Sequence, residues 1–484
     1  MGKYKALMVN LGLFALNTVA TRLIVFFLVP LYTYYLSAEE FGITDMATTV
    51  RMLLIPLVTL STADAALRFI IDDSKNTERY VSIAFLATTL SSIVAFCILP
   101  LLDLNFFGGL GHYKLQFLLV YASGAFQTYF SNIARGLNQI KLMTWSSLFS
   151  SLVTSGTAAI FIAILHYGVN GYLYSMSAGS IVGCLIYLIA GRQFAYIRIK
   201  VGYRSKDALL FRKMCLYAVP LIPNSLFWWM GTSINRFFIT GMMGIGATGL
   251  FAAATKLPNL IDAVYQIFQQ AWTLSAFQEY RKSGIGHFFT VIYTLLQAVM
   301  SSGTSAFIIL SSWLASFMLQ KDFFNGWTLM PILAVAVYFN ALNAFYGSVF
   351  TSSMKTRTLM STTAIGAIVC VGITWAFIPS IGLFAPCIAM VASNAVVLVQ
   401  RMIRSTTIMR IDVNLPILIA TILLLAAQCT TISLKVPRYM VINVAAFAIL
   451  CGVQLISIFP IVKQILQKDG VPRHPPRHAG QQVE

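Results

Sequence analysis

The sequence predicts an all-α polytopic membrane protein with about fourteen transmembrane helices, set out as two six-helix lobes and two C-terminal helices. Three observations lead there. Hydrophobic residues make up 58% of the 484 and charged residues only 10%. An ordinary soluble domain carries roughly 25% charged residues, and a chain this apolar cannot cover itself with polar surface in water. At about 20 residues per span, the apolar runs supply fourteen: 6–36, 41–63, 81–102, 114–134, 142–165, 171–190, 214–240, 249–275, 286–312, 328–350, 359–378, 383–402, 415–433 and 440–462. Basic residues alternate with these runs in one direction only.

That alternation sets the orientation. With the N-terminus in the cytoplasm, 25 of the 33 Lys and Arg residues fall in inner segments, and only Lys114, Lys321, Lys435 and Arg438 fall in outer loops. Such an asymmetry is what membrane insertion imposes. It accounts for most of the +18 net charge and leaves no need for nucleic acid as a partner. The basic stretch 191–213 reads as a retention signal in contact with anionic lipid. The first run, 6–36, is longer than the 7–15 residues or so of a signal-peptide core, so it is expected to be retained as the first span. The outer loops are too short to hide a soluble domain.

The connector 191–213 divides the chain into an N-terminal lobe, 1–190, and a C-terminal lobe, 214–402. Residues 403–462 carry spans 13 and 14, and 463–484 read as a disordered cytoplasmic tail. The segments HYGVNGYLYSMSAGSIVG (166–183) and IPSIGLFAPCIAMVASNA (378–395) open the sixth and twelfth spans in the same way, each downstream of a short basic turn. Six spans per half is even, so the halves form a parallel repeat about an axis along the membrane normal.

Several motifs carry no chemistry. The seven cysteines lie in apolar runs without metal-ligand spacing, so neither a disulfide framework nor a metal site is expected, and no cofactor is implied. His474 and His478 stand four apart, but the intervening prolines forbid a helix. Gly244 to Gly249 fits G-x-G-x-x-G, yet it falls between two membrane helices with no strand before it, and reads as a tight turn.

Four cations lie inside predicted spans: Arg22, Arg51, Arg236 and Lys256. Each costs roughly 2.5–3.5 kcal/mol at mid-membrane on insertion scales. Their companions form polar faces at about 100° per residue. Thr44, Thr48, Arg51, Thr59 and Thr62 share one side of span 2. Asn10, Asn17 and Thr21 line span 1 beside Arg22. Asn224, Gly231 and Asn235 line span 7 beside Arg236. Asn259, Asp262, Gln266, Gln269, Gln270 and Thr273 share one side of span 8, with Lys256 at its edge. These are the first two helices of each half, which a two-fold repeat brings face to face. The expectation is a water-filled central cavity, positive in sign, because only Asp262 and Asp45 are available as intramembrane acids. A positive cavity in low dielectric suits an anion, and arginine's forked donors suit phosphate. Pro30, Pro56, Pro220, Pro223 and Pro258 fall in the same four helices, where they kink the chain.

The opening TRLIVFFLVPLYTYYLSAEEFGITD (21–45), NRFFITGMMGIGATGLFAAATKLPNL (235–260) and YQIFQQAW (265–272) resemble bacterial polysaccharide repeat-unit flippases. That family often has Gly-x-Tyr opening helices 2 and 8; here Gly42-Ile43-Thr44 and Gly249-Leu250-Phe251 stand instead. The resemblance implies a two-lobed bundle similar to multidrug and toxic-compound extrusion transporters, in the bacterial cytoplasmic membrane with both termini inside. It implies movement of undecaprenyl-diphosphate-linked oligosaccharide between leaflets, alongside membrane lipids and polysaccharide polymerase machinery. Combined with the residues, it gives Arg22, Arg51, Arg236 and Lys256 as diphosphate ligands and Asn17, Thr21, Thr48, Asn235, Asn259 and Gln266 as sugar contacts. Asp262 is the candidate for ion coupling. Two alternatives remain at this point: a multidrug cation antiporter of the same fold, and a membrane polysaccharide polymerase or ligase. The first calls for acidic residues in the N-terminal lobe, and the second for a sizeable extramembrane loop bearing acid–base groups.

Overall fold

The computed structural model describes residues 21, 24, 26–198, 205–279, 285–353, 355–434 and 436–469. All regular structure among them is helical. Helix α1 is described over 26–35. It is followed by α2 (Ala38–Val58), α3 (Thr62–Asp72), α4 (Thr77–Ile98), α5 (Lys114–Gly136), α6 (Ile140–Ala158) and α7 (Gly168–Ile189). The second half holds α8 (Ser205–Ala218), α9 (Ile222–Ser233), α10 (Asn235–Met243), α11 (Ile245–Lys256), α12 (Asn259–Glu279), α13 (Ile285–Met318), α14 (Met330–Ser352), α15 (Thr356–Ile381) and α16 (Phe384–Ser405). Helices α17 (Leu415–Ser433) and α18 (Tyr439–Asp469) are the last of the described helices.

Each of the fourteen predicted spans has a counterpart. Among the described residues, ten helical segments are long and apolar enough to cross a membrane. The first span lies largely outside the described residues, and α5 is made less apolar by Gln116, Gln127, Thr128 and Asn132. Spans 7 and 8 are not single helices, and span 2 is interrupted as well.

The interruptions have identifiable causes. Pro56 sits in the last turn of α2. Leu60 and Ser61 then adopt left-handed backbone angles, and the Ser61 amide closes back onto the Pro56 carbonyl at 3.1 Å. That six-to-one bond is a helix stop, after which Thr62 starts α3 in a new direction. The sequence reading places Thr59 and Thr62 on one continuous helical face; the stop between them removes that face. In span 8, Pro258 has no N–H to donate, and the chain passes from α11 to α12 around it. Span 7 is cut at Pro220, where a short 3-10 turn joins α8 to α9.

In the N-terminal lobe α5 packs on α3, α4 and α7, and α6 lies along α7. In the C-terminal lobe α14, α15 and α16 pack together, with α9, α12 and α13 around them. Helices α17 and α18 rest on α13 and α14. Helix α8 packs on α3 and α4, burying Leu210, Met214 and Ala218 in a cluster of N-lobe residues. Arg79 of α4 stands 3.7 Å from Asp207 at its start.

Candidate functional site

The lobes meet along α2. Reading down this helix, Gly42, Asp45, Thr49, Leu53 and Pro56 fall three or four residues apart and so share one face. Every one of them meets the other lobe.

Gly42 comes first. A Cβ there would run into the Ile245 carbonyl, and a Cβ on Gly249 would run into the Ala38 carbonyl. The two backbones therefore touch where neither residue has a side chain. Around this contact Phe106 and Phe41 pack across the boundary onto Phe237 and Phe323, at ring-centroid separations of 4.8 and 5.6 Å. Thr33 donates to the Met318 carbonyl at 2.8 Å. This closed end carries the connections between spans 1 and 2, 7 and 8, and 9 and 10.

One turn on is Asp45, 4% exposed. Its carboxylate accepts from Arg236 Nε of α10 at 2.5 Å and lies 3.7 Å from Lys256 Nζ of α11. One acid thus holds two cations from the opposite lobe, leaving a formal charge of +1. The next residue, Thr49, accepts the indole N–H of Trp229 on its carbonyl at 3.1 Å.

Beyond this seal the face opens into a cavity of about 470 Å³. Its N-lobe wall is Met52, Leu53, Pro56 and Leu57. The C-lobe wall includes Asn224, Ser225, Trp228 and Trp229 of α9, Thr363 of α15 and Arg401 of α16. Such a volume is within the range of about 300–1,000 Å³ usual for small-molecule sites. Among the described residues, no group of three or more His, Cys, Asp or Glu could hold a metal ion.

The sequence-predicted residues divide accordingly. Arg236 and Lys256 are brought together by Asp45. Arg51 lies on the other side of α2, its guanidinium packed over Gly124 of α5, where a Cβ would stand 2.9 Å from Nη1. Its Nε is buried without a hydrogen-bond partner, and Tyr172 of α7 lies within electrostatic reach of both Arg51 and Asp45. Thr44, on that same side, is fully buried. Thr48 is half-buried and bonds its own helix at the Asp45 carbonyl.

Asn235 turns into its own lobe: fully buried, it accepts from Thr374 of α15 at 2.9 Å. Asn259 is exposed, and Thr21, Gln266 and Asp262 are half-buried. Thr21 and Asp262 are engaged with other groups. Arg22 and Asn17, with Asn10, lie outside the described residues, as do the side chains of Gln270 and Thr273.

Arg401 is the residue that sequence reasoning misses. It counts there with the basic residues of an inner segment. In the structure it is 8% exposed on α16, donating from Nη1 to the Asn343 carbonyl at 2.7 Å, from Nε to Thr362 Oγ1 at 3.2 Å and from Nη2 to Thr363 Oγ1 at 3.1 Å. A signal exists in the spacing: Ser393, Val397, Arg401 and Ser405 stand four apart and are all buried, one row of a helix packed on both flanks.

Known proteins place this architecture. The solved lipid II flippase MurJ, in an inward closed conformation, is similar over 94% of this chain and 99% of its own, at TM-score 0.70 and 13% identity. A multidrug resistance MATE family transporter of the MOP superfamily is similar in its inward-facing form at TM-score 0.65 and 14% identity, over 81% of this chain and 95% of that one. An outward-facing structure of such a transporter gives 0.60 and 15%, over 82% and 96%. The two-lobed fold is therefore one used by membrane transporters. No curated protein matches the sequence. The family described as polysaccharide biosynthesis protein matches residues 7–273, more than half of the chain. The long apolar helices and this fold are those of a multi-pass membrane protein, and the chain belongs to the polysaccharide biosynthesis protein family.

Proposed function

We propose that the protein is a flippase that carries undecaprenyl-diphosphate-linked oligosaccharide repeat units from the inner to the outer leaflet of the bacterial cytoplasmic membrane, for surface polysaccharide. The lobes rock about the α2 boundary. The diphosphate is held by Arg51, Arg236 and Lys256, with Arg22 on span 1. Thr48, Asn259 and Gln266, with Asn17 and Thr21, meet sugar hydroxyls, and the lipid tail stays in the bilayer; Asn235, buried in its own lobe, does not take part. Both termini face the cytoplasm, and polymerase machinery receives the product.

The observation that carries this reading is the single carboxylate of Asp45 shared by Arg236 and Lys256 beside the interlobe cavity. An anion entering from that cavity competes with Asp45 for the two cations. Phosphate oxygens are strong partners for a guanidinium, so binding and release of the lobe contact are one event. The similar fold of a protein named as a lipid II flippase supports the same substrate class. A membrane potential, negative inside, favours outward movement of an anion by about 2.3 kcal/mol per charge per 100 mV. Coupling to an ion is therefore not required; Asp262 is the group that would serve it.

The test is transport by purified protein in vesicles, with labelled lipid-linked sugar and an imposed potential, beside surface polymer in cells. The double variant Arg51→Ala, Lys256→Ala should abolish both at normal protein level. Normal polymer from that variant would refute the assignment. Export of cationic drugs without movement of lipid-linked sugar would replace the reading with an antiporter.

A further inference from the structure

Arg401 stands apart from the other buried cations in what it can reach. Arg236 and Lys256 are turned onto Asp45, and Arg51 onto α5. Arg401 is the cation on the cavity wall among the described residues. Its partners are a carbonyl and two hydroxyls, all neutral. No carboxylate among the described residues pairs with it. An arginine has five N–H donors, and these three bonds leave two over.

The surroundings hold the guanidinium in place. Thr362 and Thr363 both bond the Leu359 carbonyl of their own helix at 3.0 and 2.8 Å, so their oxygens are fixed as acceptors for Arg401. Tyr265 of α12 lies within electrostatic reach of it, and the Tyr265 hydroxyl is buried without a hydrogen-bond partner. A fixed charge without a counter-ion in a low-dielectric wall is costly unless an anion visits it. Facing it are Met52, Leu53, Pro56 and Leu57, and beside it Trp228 and Trp229. A cavity with one cationic wall and one apolar wall fits an amphiphilic anion.

We infer that Arg401 is a substrate-binding residue: in the conformation seen here it takes the diphosphate of the lipid-linked substrate, before Arg236 and Lys256 become free. This rests on the flippase reading and deepens it, since it gives the diphosphate a ligand while the lobes are still latched. As the lobes part, the anion passes from Arg401 on α16 to Arg236 and Lys256 as Asp45 lets them go.

The test is binding of tritiated undecaprenyl diphosphate to the full-length protein in phosphatidylcholine nanodiscs, with phosphatidylglycerol as competitor. Wild-type protein should bind the diphosphate. Arg401→Gln should bind about tenfold or more weakly, the scale of a lost charge-assisted bond. Arg401→Lys, which keeps the charge but not the fork, should recover only part of that loss, and equimolar phosphatidylglycerol should not displace the probe. Wild-type affinity in Arg401→Gln overturns the role of Arg401 and leaves the flippase reading standing. Absence of binding to wild type overturns both. Displacement by phosphatidylglycerol shows a general lipid-anion site, and overturns the inference. Equal losses in the Lys and Gln variants, in step with equal falls in Tm, show a structural arginine and also overturn it.

Discussion

Asp45 of one lobe and Arg236 of the other are joined by a 2.5 Å hydrogen bond beside the packing of α2 on α11. With Lys256 on the second carboxylate oxygen, this is the ionic layer of the lobe contact. It is flanked on one side by the Gly42 and Gly249 backbones and on the other by the Trp229 bond to Thr49.

Removing the acid should release the contact. Breaking a buried pair by deleting one partner costs about 3–5 kcal/mol, because the remaining charge is left uncompensated. In Asp45→Asn two cations lose their counter-ion, so the closed arrangement should become the minor one. In a cysteine-depleted background, a cysteine at Phe237 should change from slow to rapid maleimide labelling. Unchanged slow labelling would show that the ionic layer does not hold the lobes together.

The glycine contact should be intolerant of any side chain. The Cβ of Gly249→Ala would meet backbone atoms of Ala38, and that of Gly42→Ala would meet the Ile245 carbonyl. Backbone cannot step aside as a flexible side chain can. Both variants should push the lobes apart, raising Phe237→Cys labelling as Asp45→Asn does and reducing surface polymer. Gly156→Ala, at a position with open space, should change neither.

Asn235 offers a test of structural against ligand roles. Its amide oxygen accepts from Thr374 in a fully buried site, and its Nδ2 is already without a partner. Thr374→Val leaves that oxygen only the weaker Cys370 thiol donor at 3.5 Å, and should cost about 0.5–1.5 kcal/mol, the net worth of one hydrogen bond, read as a lower Tm in detergent. Affinity for undecaprenyl diphosphate in the surviving fraction should stay at the wild-type value.

The stop after α2 carries a removable cost. Ser61 sits at φ 48°, a left-handed geometry that disfavours side chains by roughly 1–2 kcal/mol. Ser61→Gly should therefore stabilise by about 1 kcal/mol, raising Tm with transport retained. A fall in Tm would show that the Ser61 side chain contributes more than its backbone costs.

Much of the architecture was legible in the sequence because membrane insertion writes itself into composition. Apolar runs must be long enough to cross a bilayer and must satisfy their own backbone hydrogen bonds, so span count and helical class follow from length and hydropathy. Prolines at 56, 220 and 258 marked the helices that break. Intramembrane cations were conspicuous for their expense, and Arg51, Arg236 and Lys256 do sit buried or half-buried within the bundle.

Which way those cations point was settled only by tertiary contact. On α2 the sequence favours the face of Thr44, Thr48 and Arg51, by count of polar groups. The face that meets the other lobe is instead that of Gly42, Asp45 and Thr49, because close backbone approach needs a glycine on each side and a glycine has no hydropathy to announce it. Arg401 stayed hidden for a similar reason: a cation near a helix end looks solvated until Thr362, Thr363 and the Asn343 carbonyl, 38 to 58 residues away in the chain, fold around it. Local composition determined the helices and their number; partners distant in sequence decided which charges are paired, which are walled in, and where the cavity lies between them.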